Sequence, residues 1–188
     1  MKVFGIDPGS ERTGYGCVET DGSRHRLVVC GAIAASPGAT FPDKLLTIHD
    51  RLAELLAECR PDSVAVENIF YATNVRTALK LGHARGVAIL AAVEAGVPVA
   101  EYTPAEIKRA IVGYGRAEKR QIQEMVRLLL RLDRVPAPSD AADALAVAIC
   151  HVHEQGSATV AAVIGEARTA AKRSARSWRN YRPDRDSG

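Results

Sequence analysis

The chain has no CxxC pair: its four cysteines, Cys17, Cys30, Cys59 and Cys150, are scattered. That scatter argues against a zinc site and a disulfide framework, and marks the four as reduced core thiols. No stretch approaches the ~20 apolar residues of a membrane span, and Lys2 enters a strand at once, without the apolar core of a signal peptide. A cytoplasmic location is expected, with no membrane association. Internal repeats are absent. No acid interrupts the run from Arg168 to Arg182, which carries Arg168, Lys172, Arg173, Arg176, Arg179 and Arg182. The net charge of +3 therefore hides a basic tail behind a body that is close to neutral or slightly acidic. What remains is an ordinary globular composition: 188 residues, 47% hydrophobic, enough for one substantial core.

Apolar patterning divides the chain into strands and helices. Lys2 to Ile6 reads as a buried strand running into Asp7-Pro8-Gly9. Thr13–Thr20 and Arg26–Ile33 are strand-like runs joined by the turn residues Asp21-Gly22-Ser23, which predicts three consecutive antiparallel strands. Leu45, Ile48, Leu52, Leu55, Leu56 and Cys59 recur at helical spacing up to Arg60-Pro61. Ser63 to Val66 is a second buried strand, running into Glu67. A polar and aromatic loop through Asn74 then leads into a long helix ending near Glu94, in which Gly82 and Gly86 permit close backbone approach, to the sheet below or to a second subunit. Pro98 to Glu101 is a short fifth strand, and Thr103-Pro104-Ala105-Glu106 is a capping box that opens a helix stopping at Gly113. Ile122, Met125, Val126 and Leu129 mark another helix, and Ser139 is expected to cap the last, which runs to about His153. The predicted fold is a mixed five-stranded α/β sheet with helices on both faces, spanning residues 1–154. Residues 155–188 read as a flexible or weakly helical basic tail.

Four carboxylates stand where hydrolysis of a phosphodiester would need them. Asp7 and Glu67 each end an apolar strand, and Asp140 and Asp143, at i and i+3, share one helix face. Two of the four have a bland alternative: Asp7 could open an Asx-turn, and Asp140 could serve the helix dipole. Glu67 and Asp143 lack such excuses. If the four converge, like charges ~5 Å apart repel by roughly 3 kcal/mol per pair at an effective dielectric of ~20, and bound cations would relieve them. The set points to a two-metal phosphodiesterase. His151 and His153 are poor co-ligands, because i and i+2 on a helix point in different directions.

Ile6-Asp7-Pro8-Gly9 with Thr13-Gly14-Tyr15-Gly16, Glu67 with Phe70, Gly113, Glu118-Lys119, and Ser139 to Ala146 together resemble the RuvC family of Holliday junction resolvases. The resemblance covers residues 1 to about 153 in the family's order. It implies an RNase H-like fold, a homodimer, and Mg²⁺- or Mn²⁺-dependent nicking of two like-polarity strands of four-way junction DNA, with two ions per site held by Asp7, Glu67, Asp140 and Asp143. It also implies a RuvA–RuvB branch-migration complex as partner. Lys108 and Lys119 match the family's basic positions near the scissile phosphate, and Phe70, with Tyr71, would stack on bases opened at the crossover. Arg76, Lys80 and Arg85 are candidate backbone contacts, although charges on one long helix usually make a solvated face, and the six tail cations are candidate contacts to any DNA phosphate. Three rival readings are weaker. The first glycine loop also resembles the phosphate loop of actin-like ATPases, but those need two such domains. A YqgF-type nuclease shares the Asp-x-Gly start but not the Asp-Ala-Ala-Asp helix. A non-catalytic junction-binding module would have no use for intact carboxylates.

Overall fold

A computed structural model of the chain describes residues 1–68 and 74–156. Five strands, β1 (Lys2–Asp7), β2 (Thr13–Thr20), β3 (His25–Ile33), β4 (Ser63–Glu67) and β5 (Val99–Tyr102), form one sheet in the order β3-β2-β1-β4-β5. The first three are antiparallel, and β4 and β5 run parallel to β1. Asp21 closes the β2–β3 turn by accepting the Ser23 and Arg24 N–H groups, while Gly22 takes the positive φ. Helices α1 (Phe41–Cys59) and α2 (Val75–Glu94) precede and follow β4; α3 (Pro104–Val112), α4 (Lys119–Leu129) and α5 (residues 139–156) follow β5.

Side-chain alternation along the central strands splits the core in two. Phe4, Ile6, Val64 and Val66 point to the face covered by α1 and α2. Val3 and Ala65 point to the other, under α3, α4 and α5. The expected mixed sheet with helices on both faces is what forms, and residues Met1–His153 make one compact unit. Three details differ from the sequence expectations. Helix α1 begins earlier than its apolar periodicity, at a Thr40/Asp43 capping box with Pro42 in the first turn. Ser139 lies inside α5 rather than capping it, and that helix continues past His153. Gly82 and Gly86 do not pack on the sheet: a Cβ at either would meet nothing within 4 Å. All four cysteines are free thiols. Among the described residues, no helix is long and apolar enough to cross a membrane.

Candidate active site

Strand parity and register bring the first two carboxylates together. Asp7 follows Val3 and Gly5 on the α5 side of β1, and Glu67 follows Ala65 on the same side of β4. The parallel ladder pairs Ile6 with Val66, so the next residues, Asp7 and Glu67, leave the sheet side by side and their carboxyl groups hydrogen-bond. Helix α5 delivers the third. It can lie directly on β1 and β2 because those strands carry glycine beneath it: Gly5 pairs with Gly16 across the ladder, and Gly14 pairs with Asp7. A Cβ on Gly5 would stand 2.0 Å from the Ala144 carbonyl, and one on Gly14 would stand 2.1 Å from the Asp140 carbonyl. Facing this bare patch, Ala141, Ala144 and Ala148 are wholly buried. Small residues on both partners thus set the height of Asp140 and Asp143 above Asp7.

Asp7, Glu67 and Asp143 line one cleft of about 350 Å³ with Pro104, Ile107 and Lys108 of α3, Lys119 and Ile122 of α4, and Ala146 of α5. Its electrostatics are unfavourable to three bare carboxylates. Burial and then the neighbouring Asp7 carboxylate push the Glu67 carboxyl up to about 8. Burial is also the main reason Asp7 is raised, with Asp143 and Asp140 adding to it. The two carboxyls therefore share a proton near neutral pH. Asp143 is neutralised differently, by the Lys119 ammonium at 2.5 Å, a contact that raises the lysine in turn. Asp140 does not line the cleft. It sits one turn before Asp143, with Arg12 at 3.8 Å.

Among the described residues, no group of three or more His, Cys, Asp or Glu side chains is gathered into a ready metal cage. The chemistry of the donors nonetheless fits a hard divalent cation: hard, half-buried carboxylate oxygens whose mutual repulsion is relieved by a shared proton and by lysine and arginine counter-charges. Lys108 and Lys119 share the cleft with the acids. Arg76, Lys80 and Arg85 lie elsewhere, on α2, where Lys80 covers the Phe41 ring at 5.5 Å and Arg85 pairs with Glu101. Phe70, Tyr71 and the six tail cations lie outside the described residues. His151 is buried and hydrogen-bonded to the Tyr102 hydroxyl at 2.8 Å, and His153 bonds the Ala110 carbonyl, both roles within the fold. Sequence reasoning missed Arg12 and the glycines beneath α5. Gly5, Gly14 and Gly16 within strands were the available signal, since strand glycine marks a close approach.

A family model described as crossover junction endodeoxyribonuclease RuvC matches residues 3–151. The RuvC of Pelobacter propionicus is 51% identical over 183 residues, covering 97% of this chain and all of that one. That of Syntrophotalea carbinolica is 56% identical over 153 residues, covering 81% of this chain and 94% of its own. Among solved structures, Thermus thermophilus RuvC in complex with a Holliday junction substrate superposes with a TM-score of 0.80 at 40% identity, covering 85% of this chain and 97% of that one. A yeast mitochondrial Holliday junction resolvase, 13% identical with a TM-score of 0.56 over 80% of this chain and 78% of its own, shares the fold alone. The sheet order, the helices and these neighbours make the fold RNase H-like, and the chain belongs to the RuvC family of crossover junction endodeoxyribonucleases.

Proposed function

We propose that the chain resolves four-way DNA junctions by paired nicking of two like-polarity strands, using two Mg²⁺ or Mn²⁺ ions held by Asp7, Glu67, Asp140 and Asp143. The observation that carries this is the cleft in which Asp7, Glu67 and Asp143 meet beside Lys108 and Lys119. When bound, such ions supply Lewis-acid activation of water and of the leaving oxygen. The chain's own groups do the rest. The Asp7–Glu67 pair gives up its proton as cations replace it, so loading the site releases protons and is favoured by alkaline pH. Lys119, once free of Asp143, and Lys108 then face the phosphate as point charges. Ile107 and Ile122 form an apolar wall that limits water around them.

Phe70 and Tyr71 directly follow Glu67 and are assigned base stacking at the crossover, worth roughly 1–3 kcal/mol per base. Arg76 and Lys80, near the start of α2, are assigned backbone contacts. The tail from residue 155 is assigned sequence-independent phosphate attraction through its six cations. Two-fold junction geometry calls for a homodimer, with one site against each of two opposed strands, and a RuvA–RuvB complex is the assigned source of mobile junctions. The deciding experiment incubates a synthetic mobile four-way junction with the protein, with and without Mg²⁺, and maps both nicks. Symmetric, metal-dependent nicks on like-polarity strands are expected. Binding without cleavage at any divalent-ion concentration would leave a junction-binding module instead.

A further inference from the structure

The loop between Asp7 and Thr13 is braced on three sides. The wholly buried Thr13 donates its hydroxyl proton to the Gly9 carbonyl at 2.9 Å and accepts the Gly9 N–H at 3.3 Å. A Cβ on Gly9 would stand 2.1 Å from the Arg12 carbonyl, so this turn closes only around glycine. Glu11 reaches outward to Lys44 on α1, and Arg12 reaches the opposite way, to Asp140 in the first turn of α5. A cation on a fixed loop thus stands against one of the four carboxylates while about half of its side chain, 52%, remains in solvent. The contact is loose. At 3.8 Å it is well beyond the 2.7–2.9 Å of a close guanidinium–carboxylate hydrogen bond, and exposed pairs of this kind are weak enough for a divalent ion to break.

We propose that Arg12 is a displaceable counter-cation of Asp140: a divalent ion taken by Asp140 frees the guanidinium, which then contacts a DNA phosphate at the edge of the cleft. Arg12 is thereby a competitor of the ion for Asp140 and a binding residue toward DNA. The inference rests on Asp140 holding an ion. Without the ion, Arg12 offsets charge that would otherwise repel DNA; with it, the same side chain presents a planar fork suited to phosphate. Ion and junction binding then reinforce one another, and linkage makes that coupling equal in both directions.

The test uses the full chain and the variants Arg12→Gln, Arg12→Lys and Asp140→Asn, each checked for wild-type melting. Mn²⁺ affinity is measured calorimetrically without DNA, and junction affinity by fluorescence anisotropy with and without Ca²⁺. Removing a competing cation in Arg12→Gln should tighten Mn²⁺ binding about two- to five-fold, the range expected of an exposed ion pair. Junction affinity without Ca²⁺ should fall slightly, by the Asp140 charge that Arg12 no longer offsets, whereas with Ca²⁺ it should fall further, so that the gain on adding Ca²⁺ is smaller and the salt slope there shallower by about 0.9. Arg12→Lys, which keeps the charge but not the fork, should restore the Mn²⁺ affinity and the salt slope while recovering only part of the Ca²⁺-dependent gain. Unchanged Mn²⁺ and junction binding in Arg12→Gln would make Arg12 a bystander and overturn the proposal. Weaker Mn²⁺ binding would make it a prop for Asp140, and an equal junction defect with and without Ca²⁺ would make it a permanent contact; either result also overturns it. Unaltered Mn²⁺ affinity in Asp140→Asn would instead remove Asp140 from the ion-holding set, and the proposal would fall with that assignment rather than through Arg12.

Discussion

Glu67 ends a strand whose preceding residues, Val64, Ala65 and Val66, are wholly buried, and its carboxyl has been pushed from an ordinary 4.5 to about 8 by burial and by Asp7. A carboxyl raised in the folded state binds its proton more tightly folded than unfolded. Its contribution to stability is complete below about 4.5 and is lost as pH climbs through about 8. The metal-free protein should therefore melt lower at about pH 8.5 than near pH 6, with a slope of at most ~1.4 kcal/mol per pH unit from this group. Excess Mg²⁺ should shrink that difference, because an ion replaces the proton. Glu67→Gln should raise the metal-free melting temperature at alkaline pH and flatten its pH dependence; thermal melts in chelator and in Mg²⁺ check all three points. A melting temperature insensitive to pH would mean the shared proton is absent. Cleavage behaves in the opposite sense: Asp7→Asn, Glu67→Gln, Asp140→Asn and Asp143→Asn should each abolish nicking while junction binding survives or tightens, since each removes a negative charge facing a polyanion. Gel-shift and nicking assays on the same preparations separate the two effects. Asp7, Glu67 and Asp143 were legible from sequence because each acid ends or interrupts an apolar run. Arg12 was not, because nothing near it in the chain shows that Asp140 will be its neighbour.

Helix α5 is the element on which the site depends, and its seat is a patch of sheet with no side chains. Gly5 meets main chain: a Cβ there would stand 2.0 Å from the Ala144 carbonyl and 2.8 Å from the Ala148 nitrogen, so Gly5→Ala must lift the helix. Gly16 meets chiefly the Leu145 side chain, with Cδ2 2.6 Å and Cγ 2.7 Å from an added Cβ, and comes no nearer to its main chain than 3.3 Å. Gly5→Ala should thus cost roughly 1–3 kcal/mol of stability, as overpacking does, and weaken divalent-ion binding by carrying Asp143 away from Asp7. Gly16→Ala should cost less and leave ion binding close to wild type. Urea unfolding and Mn²⁺ titration of the two variants provide the contrast, and equal effects would refute this account of the seat. Local signals did predict most element boundaries. The Thr103/Glu106 capping box begins α3 where its sequence says, and Gly113 ends it in a left-handed conformation. The same grammar in Thr40-Phe41-Pro42-Asp43 starts α1 four residues ahead of Leu45, where the apolar repeat begins. The role of the strand glycines was hidden for a different reason: a bare position announces close approach without naming what approaches.

Among the described residues, one face of α2 leaves a row of large apolar side chains exposed, a surface suited to the proposed partner subunit. Val75, Leu79, Leu90 and Val93 are 77%, 60%, 49% and 61% exposed along it, and their spacing of four, eleven and three residues keeps them on one side of the helix with Gly82 and Gly86 between. A second copy of the same helix could approach closely at the glycines and bury the flanking leucines and valines, in the manner of a two-fold contact. Gly86 offers a clean test of that dimer. A Cβ there meets nothing within 4 Å of its own chain, and replacing a helix-interior glycine removes a penalty of roughly 0.5–1 kcal/mol. Gly86→Leu should therefore leave the subunit at least as stable as before while obstructing the helix–helix approach. Sedimentation should show a shift from dimer to monomer, and junction assays should show isolated single nicks replacing paired ones. A variant that stays dimeric and still cuts in pairs would move the interface off this face. A wild-type monomer that resolves junctions would remove the need for one.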